Sequence, residues 1–342
     1  MTIFLKVMRY RALRSHDQAK IGREIFLRSF FATRPPPQLA RTLVALMTDH
    51  DYQPGDTIFD AGQAPTIVYF VVDGEVHLES PHEAPWVFDE QSVIGIMDAA
   101  LDRPRSRKAV AKAPTHALSL RYADYIEVLE DNFDFTKATF ESICRTIHED
   151  SQGLAPDGVF PRPTDKALIA AEILEQRELN LVERLLILYK SVFLAKAPVQ
   201  SLVSLAAQAE EIRLPANETL AEVGAPSASL YFVVDGMIRA EREDPRIVGR
   251  FGPSDLVGRH AALGFMEAQY KIITERPSVV LRIQKEDMYD VMEDHSAMIR
   301  VAFASVAREN ERVRTYKPTA SPEVDTPDES SSSAPQAQTA SV

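Results

Sequence analysis

Apolar and polar positions change their rhythm several times along this chain, and each change predicts an element. Behind Pro37, the run QLARTLVALM repeats its apolar residues at helical spacing, and proline is tolerated in a first helical turn. QPGDTIFDAG and IVYFVVDGEVHLES then bring β-branched and aromatic residues between turn signals, which predicts short strands. Asp73-Gly74 predicts a two-residue hairpin turn, because such turns need positive φ. Beyond it, Val76 and Leu78 alternate with Glu75, His77 and Glu79, the pattern of a strand with one wet face. HALSLRY reads as a further strand leading into the helix YADYIEVLED. A second helix follows in TFESICRTIHED, where Phe140, Ile143 and Ile147 recur around the lone Cys144. The Pro/Gly-rich connection at 151–165 precedes a long helical stretch, 166–195, capped by Thr164 or Asp165.

The same order then repeats from Pro198. Tyr69-Phe-Val-Val-Asp-Gly74 recurs as Tyr231-Phe-Val-Val-Asp-Gly236, 162 residues later. That offset also pairs Asp56-Thr57-Ile58 with Glu218-Thr219-Leu220 and Gly62 with Gly224. One residue further on, Gly95 pairs with Gly258, Leu120 with Ile283 and Asp124 with Asp287. Chance does not hold such a register over so long a stretch. The chain contains two copies of one fold.

Composition narrows the class. At 45% hydrophobic and 26% charged, the 342 residues suit two ordinary globular domains. No run of apolar residues reaches the length of a membrane span, and the N-terminus does not read as a secretory signal, so a cytoplasmic protein is expected. One cysteine cannot form an internal disulfide, and its apolar neighbours predict a buried structural thiol. The net charge of −12 is uneven: residues 1–34 carry eight basic side chains against Asp17 and Glu24, which reads as a basic leader helix. An acidic body repels phosphates, so nucleic-acid binding is not expected. After residue 315 the chain is rich in Ser, Pro and acid and poor in apolar residues, and disorder is expected over 316–342.

The doubled pattern, Ile58-x-x-x-Gly62 and Leu220-x-x-x-Gly224, then Tyr-x-Val-x-x-Gly in both copies, resembles the cyclic-nucleotide-binding domain family over about 20–148 and 180–315. The resemblance implies an α+β chain: two β-roll (jelly-roll, cupin-like) domains, each flanked by helices and joined by a helical linker. Its parts would be a leader (1–34), a first domain (35–150), a linker and helix (151–180), a second domain (181–315) and a tail (316–342). In the family a phosphate-binding cassette carries the ligand site. A short helix offers backbone N–H groups to a cyclic phosphate, an arginine pairs with its charge and a glutamate accepts from the ribose.

Carried onto this chain, the first cassette runs from Ile94 to Ser106, with Gly95 at the turn, Arg105 on the phosphate arginine and Ser106 beside it. Ile96 occupies the glutamate position and cannot bond a hydroxyl. Asp98, two residues further along a helix, is expected to point elsewhere. In the second cassette the glutamate and arginine positions hold Arg259 and Ala268, so neither ligand-pairing charge is present. Gly95, Ile96, Arg105 and Ser106 are thus the candidate ligand residues, with a cyclic nucleotide as the ligand and no cofactor or metal. The eight histidines show no metal-ligand spacing, and no phosphate loop or nucleophile elbow occurs, so catalysis has no candidate constellation.

Two readings stand: a non-enzymatic regulator that senses a cyclic nucleotide through the first domain, or a ligand-free adaptor that uses the double roll as a protein-interaction surface. DNA reading is not expected, since no groove-reading domain follows the C-terminal helix. That helix, 288–313, holds Met288, Val291, Met292, Met298, Ile299, Val301, Phe303 and Val306, more apolar residues than one stripe requires. It is expected to carry an interface to an unknown protein partner or to a second copy of the chain.

Overall fold

The computed structural model describes residues 37–151, 163, 166, 168–242, 247–264 and 267–315. The basic leader, the tail and most of the 151–165 connection lie outside the described residues. The fold is α+β. The first copy runs α1 (Pro37–Leu46), β1 (Thr48–Tyr52), β2 (Thr57–Phe59), β3 (Ile67–Asp73), β4 (Val76–Ser80), β5 (Glu83–Phe88), β6 (Val93–Ile94), α2 (Ile96–Ala100), β7 (Lys108–Ala111), β8 (Thr115–Arg121), α3 (Tyr122–Asp131) and α4 (Phe133–Ser151). Two linking helices follow, α5 (Ala171–Gln176) and α6 (Leu181–Lys190). The second copy runs α7 (Val199–Gln208), β9 (Glu210–Leu214), β10 (Thr219–Ala221), β11 (Ser229–Glu241), β12 (Ile247–Phe251), β13 (Leu256–Val257), α8 (Arg259–Leu263), β14 (Lys271–Gln284), α9 (Lys285–Asp294) and α10 (Ala297–Thr315).

In the first roll two antiparallel sheets, β1-β8-β3-β6 and β2-β7-β4-β5, face each other. In the second, β11 and β14 run through both layers, so the described strands join as one six-stranded sheet. The expected hairpin at Asp73-Gly74 is corrected by this topology. β3 pairs with β8 and β6, while β4 pairs with β5 and β7, so Gly74 is a corner where the chain changes sheets. The glycine is needed for two reasons. Its φ is +109°, and a Cβ there would sit 2.6 Å from the Cα of Thr115 on the crossing strand. Gly236 repeats this against Ser278, with φ +97° and the same 2.6 Å.

The expected long helix over 166–195 is also corrected. Asn180 starts α6 with a capping box: its side chain accepts from the N–H of Val182 (3.0 Å) and Glu183 (3.1 Å), and Glu183 accepts from the Asn180 N–H at 2.9 Å. Arg177 and the Asn180 N–H together draw the Glu183 carboxyl down to a pKa of about 2. The local cap outcompetes continuation of the apolar rhythm.

A large apolar core joins the helices of both copies to one face of each roll. Phe303 of α10 meets Phe140 of α4 at 4.9 Å and Tyr125 of α3 at 6.4 Å between ring centres. The expected single helix over 288–313 divides between α9, which holds Met288, Val291 and Met292, and α10, and all eight apolar residues named above are buried within the chain. The expected surplus for an external interface is therefore corrected: α10 lies between two copies and needs apolar residues on more than one side. Exposed large apolar residues gather instead on α6 and α7, at Leu181, Val182, Leu186, Tyr189, Val199 and Val203. Cys144 is fully buried, and burial pushes its thiol up to about 12, so it stays protonated.

Candidate functional site

Backbone hydrogen bonds fix the equivalence of the two cassettes. Gly95 and Gly258 adopt the same left-handed conformation, with φ of +80° and +83°. The Gly62 N–H donates to the Arg105 carbonyl at 2.8 Å, and the Gly224 N–H donates to the Ala268 carbonyl at 2.8 Å. The Arg105 N–H reaches Gln63 (2.9 Å) as the Ala268 N–H reaches Ala225 (2.8 Å). Ala268 therefore stands where Arg105 stands.

In the first cassette the side chain of Arg105 is turned inward and only 4% exposed. Its guanidinium donates to the backbone carbonyls of Gly95 and Ile67 and lies 4.3 Å over the Phe59 ring. A Cβ on Gly95 would come within 3.0 Å of the Arg105 Cζ, so glycine leaves the space that the arginine fills. Burial holds this guanidinium below the usual arginine range, with Asp98 and Tyr69 partly offsetting the shift.

Asp98 does not point elsewhere. Its carboxylate accepts from the N–H (3.1 Å) and hydroxyl (3.2 Å) of Ser106, and from Arg103 Nε at 2.9 Å. Arg103 continues to Glu311 on α10, 3.0 Å from Nη1 to the carboxylate. Ile96 faces the helices, where it borders a cavity of about 180 Å³ with Met97, Tyr125, Phe303 and Arg314. Thus Gly95 and Arg105 are brought together, Ser106 joins Asp98, and Ile96 belongs to the helix contact.

The first roll is filled by its own side chains. Phe59 and Tyr69 pack at 5.9 Å, Trp86 and Phe88 complete the interior, and Arg107 stacks 4.0 Å over Trp86 while pairing with Glu83. In the second roll those places hold smaller groups. Ala221 pairs with Ile272 as Phe59 pairs with Ala109. Gly249 faces Ala240 as Trp86 faces Leu78. With Ala268 at the Arg105 position, three large side chains are missing. Of these positions, Ala221 and Ala268 line a cavity of about 520 Å³, together with Leu220, Tyr231, Phe251 and Ile272. His148 of α4 and Arg308, Glu309 and Arg312 of α10 line its helical side.

At that side Glu309 gathers three partners. It pairs with Arg259, receives Arg312 at 3.3 Å and faces His260 Nε2 at 3.0 Å. Arg259 also bonds the Ser305 hydroxyl at 3.2 Å, and burial lowers its pKa to about 10. Burial, reinforced by Arg259, Arg312 and His148, holds His260 well below the usual histidine range. His260 is therefore neutral at pH 7, with its Nε2 lying 3.0 Å from the Glu309 carboxylate. The unfolded chain would protonate this histidine near pH 6.5 and the folded chain only well below that. Stability is therefore complete above 6.5 and falls on acidification, by about 1.4 kcal/mol per pH unit. A thermal melt of the wild type should drop between pH 6.5 and 5.5 more than that of His260→Asn. Parallel profiles would show that His260 is not the responsible group.

Sequence reasoning missed Glu309 and Glu311, which lie on a helix far along the chain from the cassettes they hold. Among the described residues no cluster of His, Cys, Asp and Glu could hold a metal ion, and no helix is long and apolar enough to cross a membrane.

No curated protein matches the chain. Among solved structures, it is similar to the regulatory domain of Toxoplasma gondii PKA with cAMP, at 13% identity over 87% of this chain and 99% of that one, with a TM-score of 0.33. It is also similar to the regulatory subunit of a cAMP-independent protein kinase A from Trypanosoma brucei (14%, 83% and 93%, TM-score 0.32). The corresponding Trypanosoma cruzi subunit bound to guanosine is a third (14%, 88% and 92%, TM-score 0.33). These likenesses are too loose to assign a ligand. The family model for the cyclic nucleotide-binding domain matches twice, over residues 49–132 and 211–295, the segments that build the two rolls. The chain belongs to the cyclic nucleotide-binding domain family and carries that domain in tandem.

Proposed function

We propose that this protein is a non-enzymatic regulator, acting in the cytoplasm, whose two rolls are read out by one shared helix, α10. One observation carries this reading: Glu309 and Glu311 hold Arg259 of the second cassette and Arg103 of the first. Two residues along a helix differ by about 200°. The carboxylates therefore leave opposite sides of α10, and each takes one cassette. Arg300 to Glu130 and Arg314 to Asp150, both at 2.7 Å, further tie α10 to α3 and α4. A change in either cassette acts on the same lever.

Within this reading the first roll is a closed brace and does not take a cyclic nucleotide. Arg105 is already engaged by two carbonyls and a ring, and Ile96 is engaged by the helices. These contacts favour the ligand-free alternative for the first copy, whereas the open cavity lies in the second.

Hydrogen exchange tests the coupling. Glu311→Gln removes one charge of the first clamp. Faster exchange is expected in α10, in α2 and also in α8, which Glu311 does not touch. Loosening confined to α2 would show that the cassettes are not linked through the helix.

A further inference from the structure

We propose that the cavity of the second roll binds a small organic acid with an apolar body, a site distinct in chemistry from a cyclic-phosphate pocket. Three observations lead there. First, the cavity opens where Ala221 and Ala268 replace Phe59 and Arg105 of the first roll, and its volume of about 520 Å³ lies in the range of small-molecule sites. Second, its floor is apolar, formed by Leu220, Ala221, Phe251 and Ile272, with Ala268 at the place of the cassette arginine.

Third, charge at the helical side is unbalanced. Glu309 is shared by Arg259 and Arg312, and Asp255 accepts from the Gly252 N–H at 2.9 Å and faces Arg312. Arg308 lines the same cavity, half-buried, and has no carboxylate partner among the described residues. It also stands close enough to Arg259 for the two like charges to repel. A desolvated guanidinium without a counter-charge is unfavourable, and an entering carboxylate relieves it. The anion therefore sits against Arg308 on α10, away from the cassette, while the apolar body fills the hollow. This inference goes beyond the shared-helix reading and does not depend on it.

Titration calorimetry on the full chain tests it with naphthylacetate and decanoate as acids, naphthylacetamide as the neutral match of the first, and cAMP. Saturable binding of an acid is expected, with the amide weaker by about tenfold or more. Arg308→Gln should bring naphthylacetate down to the level of the amide. Ala221→Phe restores the side chain that fills the first roll, and it should abolish binding of acid and amide alike without lowering the melting temperature. Failure of both acids to bind overturns the proposal. Equal binding of acid and amide overturns it too, as does acid binding that survives Arg308→Gln. Tight cAMP binding lost in Ala221→Phe would give the cavity to the nucleotide instead.

Discussion

Replacing Arg105 by alanine is expected to destabilise the folded protein by about 3–5 kcal/mol in the absence of any ligand. The variant removes two charge-assisted hydrogen bonds, each worth roughly 1.5–3 kcal/mol. It leaves the buried carbonyls of Gly95 and Ile67 short of a donor and opens a void beside Phe59. At 4% exposure, solvent does not screen or replace those contacts. The guanidinium's own desolvation cost is recovered in the variant, which keeps the net loss below the sum of its parts. Each kcal/mol corresponds to about 2–4 °C in a domain of this size, so a thermal melt should fall by roughly 6–20 °C. An arginine held ready for a phosphate would behave otherwise, because its removal from an empty site leaves stability unchanged or improves it. An unchanged melting temperature for Arg105→Ala would therefore remove the structural role assigned to it.

Glu309→Ala is expected to be equally damaging, again by about 3–5 kcal/mol. The carboxylate is 7% exposed and faces Arg259, Arg312 and His260 together. Without it, three cationic or donating groups converge on a desolvated space with nothing to receive them. The penalty comes chiefly from the stranded Arg259, whose pKa burial already lowers. A second change identifies that cause: Arg259→Met in the Glu309→Ala background should recover a large part of the loss, because it removes the uncompensated charge. Additive losses in the double variant would place the damage in packing of α10 and not in the ion pair.

The repeat made most of the architecture legible. Periodicity located both rolls, and the glycine register placed Gly95 against Gly258 and Arg105 against Ala268, as the paired backbone hydrogen bonds bear out. Other features escaped it for identifiable reasons. The Asp-Gly signal at residue 73 reports a need for positive φ, and a sheet-changing corner shares that need with a hairpin. Asp98 was discounted from its spacing on a helix, but α2 is only five residues long and the chain after it folds back over the carboxylate.

The cavity was written in the sequence as Phe59 against Ala221 and Arg105 against Ala268. Those pairs acquire meaning only once strand register shows which side chains point inward. Glu309 and Glu311 were beyond reach altogether, since nothing local in a C-terminal helix says which distant cassettes will pack on its two sides. The apolar surplus of that helix was visible, but burial between two copies and burial against a partner demand the same residues.

The most direct measurement is calorimetric titration of cAMP into the wild-type chain and into Arg105→Met at matched concentration, with folding of both verified by thermal melts. With Arg105 engaged by the Gly95 and Ile67 carbonyls, no Arg105-dependent heat is expected, and the two titrations should coincide. Saturable micromolar binding in the wild type that disappears in a still-folded Arg105→Met chain would contradict the closed first roll and return Arg105 to a phosphate.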